Sequence, residues 1–110
     1  MTITEMVKLC AEQAAQKGWS VNPIPVPEMI ALIHSEASEA LESFRNKEPL
    51  SWTQEDVSGL KPMGIASEFA DILIRIGHYS GMLEIDLEME VIRKLKFNSL
   101  RPYRHGGKLA

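Results

Sequence analysis

Apolar residues recur every three or four positions along most of this chain, which is the spacing of amphipathic α-helices. No segment shows the alternation of apolar and polar residues that is typical of a half-buried strand. Thr2 with Glu5 fits a capping box and Asp86 fits an N-cap, while Gly18 and Gly81 fit helix ends. The pattern therefore predicts an all-α fold of four helices, over residues 3–17, 27–46, 64–80 and 86–100.

The segments between these helices have compositions that are typical of connections. A proline-rich stretch precedes the second helix and predicts an extended linker that ends where Pro27 begins the helix. Residues 47–63 read as a long loop with room for a short turn. Pro102 ends the fourth helix, and residues 102–110 form a basic tail that we expect to be mobile. With 110 residues, we expect one domain, over positions 1–110.

Each long helix has an apolar stripe that predicts its packing face. On the second helix the stripe is formed by Ile30, Ile33, Ala37, Ala40, Leu41 and Phe44. On the third helix it is formed by Ile65, Phe69, Ile72, Leu73 and Ile76. Further apolar residues, among them Ile74, Leu83 and Leu95, would remain uncovered in so small a chain. We therefore expect the helices to assemble into a homo-oligomeric bundle, as a homodimer or a homotetramer.

Two pairs of acidic residues, each with i, i+3 spacing, carry the candidate chemistry. Glu36 and Glu39 lie on the second predicted helix, and Glu68 and Asp71 lie on the third. Residues three apart share one side of a helix, so two adjacent helices can bring these carboxylates together. Clustered carboxylates suit Mg²⁺, with Mn²⁺ as a substitute, and such magnesium sites usually also contact substrate phosphates. The alternative is a structural ion pair, with Arg75 neutralising Asp71 or Glu68.

The charge distribution limits the partners that we expect. Residues 1–90 carry 15 acidic and 6 basic side chains, a balance of −9, whereas residues 91–110 have a balance of +6. This acidic body argues against binding to a nucleic acid polymer, and the basic end suggests a local anion. No apolar run is long enough to span a membrane, and no secretion signal is evident. The single Cys10 fits a reducing cytoplasm, which is the predicted location.

Three segments, in order, resemble the MazG-like nucleotide pyrophosphohydrolases, one group of the all-α nucleoside triphosphate pyrophosphatases. The segments are EASEALESFR, EFADILIRIG and DLEMEVIRKLKFNSLRPYRHGGK, and the resemblance covers roughly residues 28–108. It implies hydrolysis of a nucleoside triphosphate between the α and β phosphorus atoms, which releases a monophosphate and pyrophosphate. It also implies that Glu36, Glu39, Glu68 and Asp71 hold Mg²⁺, and that Lys94 and Asn98 contact the phosphates.

The remaining site residues follow from the chemistry of that reaction. Glu39 is our choice for the carboxylate that takes a proton from the attacking water. Arg101, Arg104 and Lys108 would close over the leaving pyrophosphate, and His105 would contact a phosphate. Trp52 would stack on the base, although Trp19 could do so too, and each is more often an anchor for a loop.

Two other functions fit the sequence. The chain could be a non-catalytic helical interaction module whose basic tail docks an acidic partner, or a nucleic-acid-binding protein that uses its basic end. No phosphate-binding glycine loop and no Ser-His-Asp arrangement is present, so the hydrolase interpretation depends on metal and side chains alone.

Overall fold

The computed structural model describes residues 1–19 and 22–102 of the chain. These residues form four helices and one two-stranded sheet, so the prediction of a mainly helical fold is confirmed. The predicted tail, with Arg104 and His105, lies almost wholly outside the described residues. In chain order the elements are α1 (Ile3–Gln16), α2 (Val26–Arg45), β1 (Trp52–Asp56), β2 (Gly59–Met63), α3 (Ile65–Met82) and α4 (Leu87–Ser99).

Local capping residues determine where several helices begin, as the sequence predicts. The Glu5 amide donates to Thr2 Oγ1 at 3.0 Å and the Thr2 amide donates to Glu5 Oε1 at 3.2 Å, which completes the capping box of α1. At the start of α4, the Met89 amide donates to Asp86 Oδ1 at 3.1 Å. The prediction that Gly81 ends the third helix is wrong, because α3 continues to Met82.

The prediction of a long loop over residues 47–63 is wrong in part, because this segment contains an antiparallel β-hairpin. Its register runs from Trp52 opposite Met63 to Asp56 opposite Gly59. Only these first two residues are half-buried, and the rest of both strands is exposed. The strands lack an apolar face, so the pattern of apolar and polar positions gave no sign of them.

The helices pack around α3, which contacts both α1 and α2. Gly77 allows α1 to come close, because a Cβ atom at this position would lie 2.8 Å from the Sγ of Cys10. α4 packs chiefly on α1 and has no buried residue. Among the described helices, none has the length and apolar character that crossing a membrane would require.

The predicted packing stripes of α2 and α3 are buried only in part in a single chain, with Ala40 buried and Ile33, Ile65, Ile72 and Ile76 half-buried. Leu41 and Phe44 on α2 are 49% and 68% exposed, and Phe69 on α3 is 59% exposed. The buried residues of α2 are Met29, Glu36, Ala40 and Ser43, of which only Ala40 belongs to the predicted stripe. α2 thus buries an acidic residue, while Leu41 and Phe44 stay exposed. A homo-oligomer that covers the exposed residues stays a prediction.

Candidate metal and phosphate site

The contact between α2 and α3 brings acidic residues of both helices together. Carboxylate oxygens of Glu36, Glu39 and Glu68, one from each residue, all lie within 4.8 Å of one another. Glu36 is buried, Glu68 is half-buried and Glu39 is exposed, so the cluster extends from the protein interior to the surface. We call these three residues the acid cluster. Asp71 was predicted as a fourth member, but it does not belong to this closest group.

The turn before α3 determines where Glu68 lies. Gly64 precedes the helix with a φ of 98°, and a Cβ atom there would lie only 2.5 Å from the carbonyl oxygen of Leu50. The Ala66 amide donates to the same carbonyl at 3.0 Å, which attaches the start of α3 to the loop after α2. Glu68 then lies one turn into α3, on the side that faces α2. A glycine is therefore required at position 64 for this arrangement.

Glu36 is the member of the cluster that has a basic partner. The Nε of Arg75 donates to Glu36 Oε1 at 2.8 Å, and Arg75 Nη1 donates to the hydroxyl of Tyr79 at 3.1 Å. Burial opposes ionisation of Glu36, but hydrogen bonds with Arg75 and Glu68 outweigh it and lower the pKa of Glu36. The alternative of a structural ion pair is met with a different partner, because Arg75 pairs with Glu36 on α2 rather than with Asp71 or Glu68 on its own helix.

The environment of Glu68 disfavours its ionised form, whereas that of Glu36 favours it. Burial, hydrogen bonding with Glu36 and Glu39, and the charges of Glu39 and Asp71 raise the pKa of Glu68 to about 7. Its Oε2 is buried without a hydrogen-bond partner among the described residues. An ionised carboxylate of this kind is unfavourable unless a cation compensates its charge. The donor set and this unpartnered oxygen together fit a hard divalent cation such as Mg²⁺.

A surface cavity of about 560 Å³ opens beside the acid cluster, between α2, α3 and the hairpin. We call it the hairpin groove; its polar walls include Glu39, Lys61, Ser67, Glu68 and Asp71. Burial and the charge of Glu36 raise the pKa of Asp71, while the charges of Arg75 and Lys61 act in the opposite direction. Lys61 is thus a cation at the edge of the site. It could not be predicted from the sequence, because it is the hairpin that brings β2 to this position.

Three predicted phosphate contacts lie elsewhere in the described chain. Lys94, Asn98 and Arg101 belong to α4 or follow it, and none of them lines a cavity that contains the acid cluster. The Lys94 ammonium and the Arg101 guanidinium lie over the ring of Phe97, at 5.6 Å and 4.9 Å from its centroid. Within one chain, therefore, the structure does not bring these residues to the carboxylates.

Trp52 does not line the hairpin groove either. Its indole Nε1 donates to Glu48 Oε1 at 2.9 Å, and the hydroxyl of Ser43 donates to the same oxygen at 3.2 Å. The side chain thus attaches β1 to the end of α2. Of the two interpretations that the sequence allowed for Trp52, the structure supports an anchor for the loop.

A second cavity, of about 430 Å³, is lined by residues of α1, α2 and α3 and also borders the carboxylates. We call it the α1 cavity. Glu36 and Asp71 form its border with the acid cluster, and Arg75 lines it too. Its walls elsewhere include aromatic, apolar and polar side chains, namely Gln13, Trp19, Ile24, Leu32, His78 and Tyr79. Asp71 lines both cavities, so the two adjoin at the carboxylates.

Comparison of the chain with protein-family models, with curated proteins and with solved structures found no match. The function of this chain is therefore inferred from its residues and their geometry.

Proposed function

We propose that this protein is a divalent-metal-dependent pyrophosphohydrolase that converts nucleoside triphosphates, deoxy forms included, to the monophosphate and pyrophosphate. The observation that carries the proposal is Glu68, a half-buried carboxylate with an unpartnered oxygen and a pKa raised to about 7 beside two other carboxylates. Repulsion among three neighbouring carboxylates is typical of a site that needs a bound cation. The MazG-like resemblance supports the same function.

Glu36, Glu39 and Glu68 would hold the metal ion, with Asp71 close by. A bound Mg²⁺ supplies charge neutralisation for the triphosphate, which the carboxylates alone would repel, and polarises the phosphoryl group under attack. Mn²⁺ has similar preferences for oxygen ligands and is expected to substitute for it.

Among the carboxylates, Glu39 is best suited to act as the general base. Glu36 is hydrogen-bonded to Arg75, and Glu68 retains a proton up to about pH 7 in the absence of metal. Glu39 is exposed, so solvent water reaches it. Glu39 would accept a proton as the water oxygen forms its bond to the α-phosphorus. The bond from that phosphorus to the bridging oxygen then breaks, and pyrophosphate leaves with the electron pair.

Lys61 would contact the polyphosphate from the hairpin side. It lines the same groove as Glu39 and Glu68, and its charge already acts on Asp71. A lysine ammonium interacts with phosphate oxygens as a point charge, so it would favour the leaving pyrophosphate. We further propose a cytoplasmic role in clearing unwanted nucleotides, carried out by a homo-oligomer.

The test is a panel of nucleoside and deoxynucleoside triphosphates incubated with Mg²⁺ or Mn²⁺, with separate detection of pyrophosphate and orthophosphate. Glu39→Gln is expected to reduce kcat by about 10²–10⁴-fold, which is the usual contribution of a general base. Glu42→Gln is the matched control, because Glu42 lies one turn further along α2 and forms an exposed ion pair with Arg45 at 3.8 Å. The control is expected to retain wild-type turnover.

Two outcomes would reject the hydrolase. One is the absence of pyrophosphate release from every nucleotide with both metals. The other is wild-type turnover by Glu39→Gln and by Glu68→Gln, with the helical content of both variants unchanged. The exposed apolar residues of α4 would then favour the interaction module as the function.

A further inference from the structure

A nucleotide bound with its phosphates at the acid cluster needs a second region of protein to hold its base. Both cavities beside the carboxylates have apolar walls, but only the α1 cavity is also lined by aromatic side chains, which suit the binding of a planar ring. Its volume of about 430 Å³ lies within the usual range of ligand pockets, roughly 300–1,000 Å³.

His78 gives independent evidence that this cavity takes a polar ligand. The residue is only 8% exposed, and its Nε2 is buried without a hydrogen-bond partner among the described residues. Leaving such an atom unpaired is unfavourable, so buried ring nitrogens are normally satisfied. The His78 side chain forms part of the cavity wall, so a movement of its ring that exposes Nε2 would let a ligand supply the missing hydrogen bond.

Two further side chains complete a surface for a planar ring. Trp19 lines the cavity and is 59% exposed, so a large part of its indole is accessible for stacking. Gln13, on α1, also lines the cavity, and its amide offers both donors and an acceptor. An aromatic surface with two neighbouring polar groups is what recognition of a heteroaromatic ring by its edge requires.

We infer that the α1 cavity is a nucleobase subsite, in which Trp19 stacks on the base while Gln13 and His78 hydrogen-bond to its edge. This inference rests on the proposed hydrolysis of nucleotides and extends it to base selection. Glu36 and Asp71 border the cavity, so a base bound there places the phosphates toward the acid cluster. Trp19 thus takes the stacking role that the sequence analysis gave to Trp52, whose indole contacts the loop.

Binding can be tested without turnover. The chain has two tryptophans, so Trp52→Phe leaves Trp19 as the only indole whose fluorescence is observed. This variant is titrated, in EDTA, with the four deoxynucleoside monophosphates and with deoxyribose 5-phosphate, which has no base. We expect at least one nucleotide to quench Trp19 saturably, and the sugar phosphate to have no effect at the same concentration.

Selectivity is tested by the ratio of kcat/KM between the best and the worst of the four deoxynucleoside triphosphates. Gln13→Ala and His78→Ala are expected to reduce this ratio about tenfold, because each removes a hydrogen bond to the base edge. Gln16→Ala is the control, since Gln16 lies on the same helix but does not line the cavity. Affinity for Mn²⁺ alone is expected to be the same in all of these proteins.

The outcomes separate this inference from the proposed function. Hydrolysis with an unchanged selectivity ratio in Gln13→Ala and no quenching of Trp19 would overturn the subsite and leave the hydrolase intact. Saturable quenching by nucleotides without any hydrolysis would support the subsite and reject the hydrolase. Gln13 lies on an exposed position of α1, so this variant keeps the test valid even if His78→Ala does not fold.

Discussion

Replacing Glu68 by glutamine is expected to stabilise the metal-free protein above about pH 7. Burial and the neighbouring carboxylates raise the pKa of Glu68 from its ordinary value of 4.5 to about 7. Glutamine has nearly the shape of the protonated acid but cannot ionise. The substitution therefore removes the repulsion that appears when Glu68 loses its proton, and it leaves the packing between α2 and α3 in place.

The direction of this pH dependence follows from the linkage between proton binding and folding. The folded state holds the Glu68 proton more tightly than the unfolded state, so its stabilising contribution is complete below pH 4.5. It is lost as the pH rises and is gone above about pH 7. The full pKa difference corresponds to about 3 kcal/mol. Because Glu68 is only half-buried, solvent screening reduces the expected effect to about 1–2 kcal/mol.

The assay is urea unfolding followed by far-UV circular dichroism, in EDTA, at several pH values between about 4.5 and 8. We expect the free energy of unfolding of Glu68→Gln to exceed that of the wild type by about 1–2 kcal/mol at the alkaline end, and to match it at the acidic end. Asp71 and Glu36 also have shifted pKa values, so the difference between the two proteins is the quantity to interpret. Glu42→Gln is expected to follow the wild-type curve.

Metal provides the second half of this test. Adding Mg²⁺ or Mn²⁺ at about pH 8 is expected to stabilise the wild type, because a cation that binds only the folded state shifts the unfolding equilibrium. Glu68→Gln is expected to gain much less. If the two proteins have parallel pH curves, ionised Glu68 is not repelled by its neighbouring carboxylates. If metal stabilises both proteins equally, Glu68 does not take part in binding the cation.

Three further tests by urea unfolding concern the ion pair between Glu36 and Arg75, the turn at Gly64 and the N-cap of α4. Arg75→Gln removes the partner of Glu36, whose side chain is 10% exposed, and should cost about 2 kcal/mol at pH 7; adding Glu36→Gln should restore most of it. Gly64→Ala should cost about 1–3 kcal/mol because of its φ of 98° and a contact of 2.5 Å, whereas Gly81→Ala, with contacts of 3.6 Å or more, should be neutral or stabilising. Asp86→Ala should cost about 1 kcal/mol through loss of the α4 cap, and an unchanged stability would argue against the cap.

The features that the sequence predicted well are those determined by neighbours in the chain. The capping box at Thr2 and the cap at Asp86 involve residues three positions apart, and the positions of α1 and α4 follow from them. The clustering of Glu36, Glu39 and Glu68 was predictable as well, because i, i+3 spacing determines the side of a helix on which each carboxylate lies.

The features that the sequence did not predict depend on contacts between distant segments. The hairpin forms from polar strands, and its position beside α3 makes Lys61 part of the groove. The partner of Arg75 lies on another helix, 39 residues away, whereas helical spacing alone pointed to Asp71. The α1 cavity likewise combines side chains from α1, α2 and α3, so no single pattern along the chain could reveal it.

The orientation of α2 connects the proposed site to the proposed assembly. Leu41 and Phe44 are 49% and 68% exposed in a single chain, so part of their hydrophobic free energy, at most roughly 1.5–3 kcal/mol each, is not gained. The face that is buried is instead the one that brings the acidic residues of α2 to those of α3. A departure from the local pattern at a site of clustered charge is expected where function constrains the fold. The apolar residues left exposed then lie on surfaces that a second copy could cover, so the proposed metal site and the proposed oligomer would depend on the same orientation of one helix.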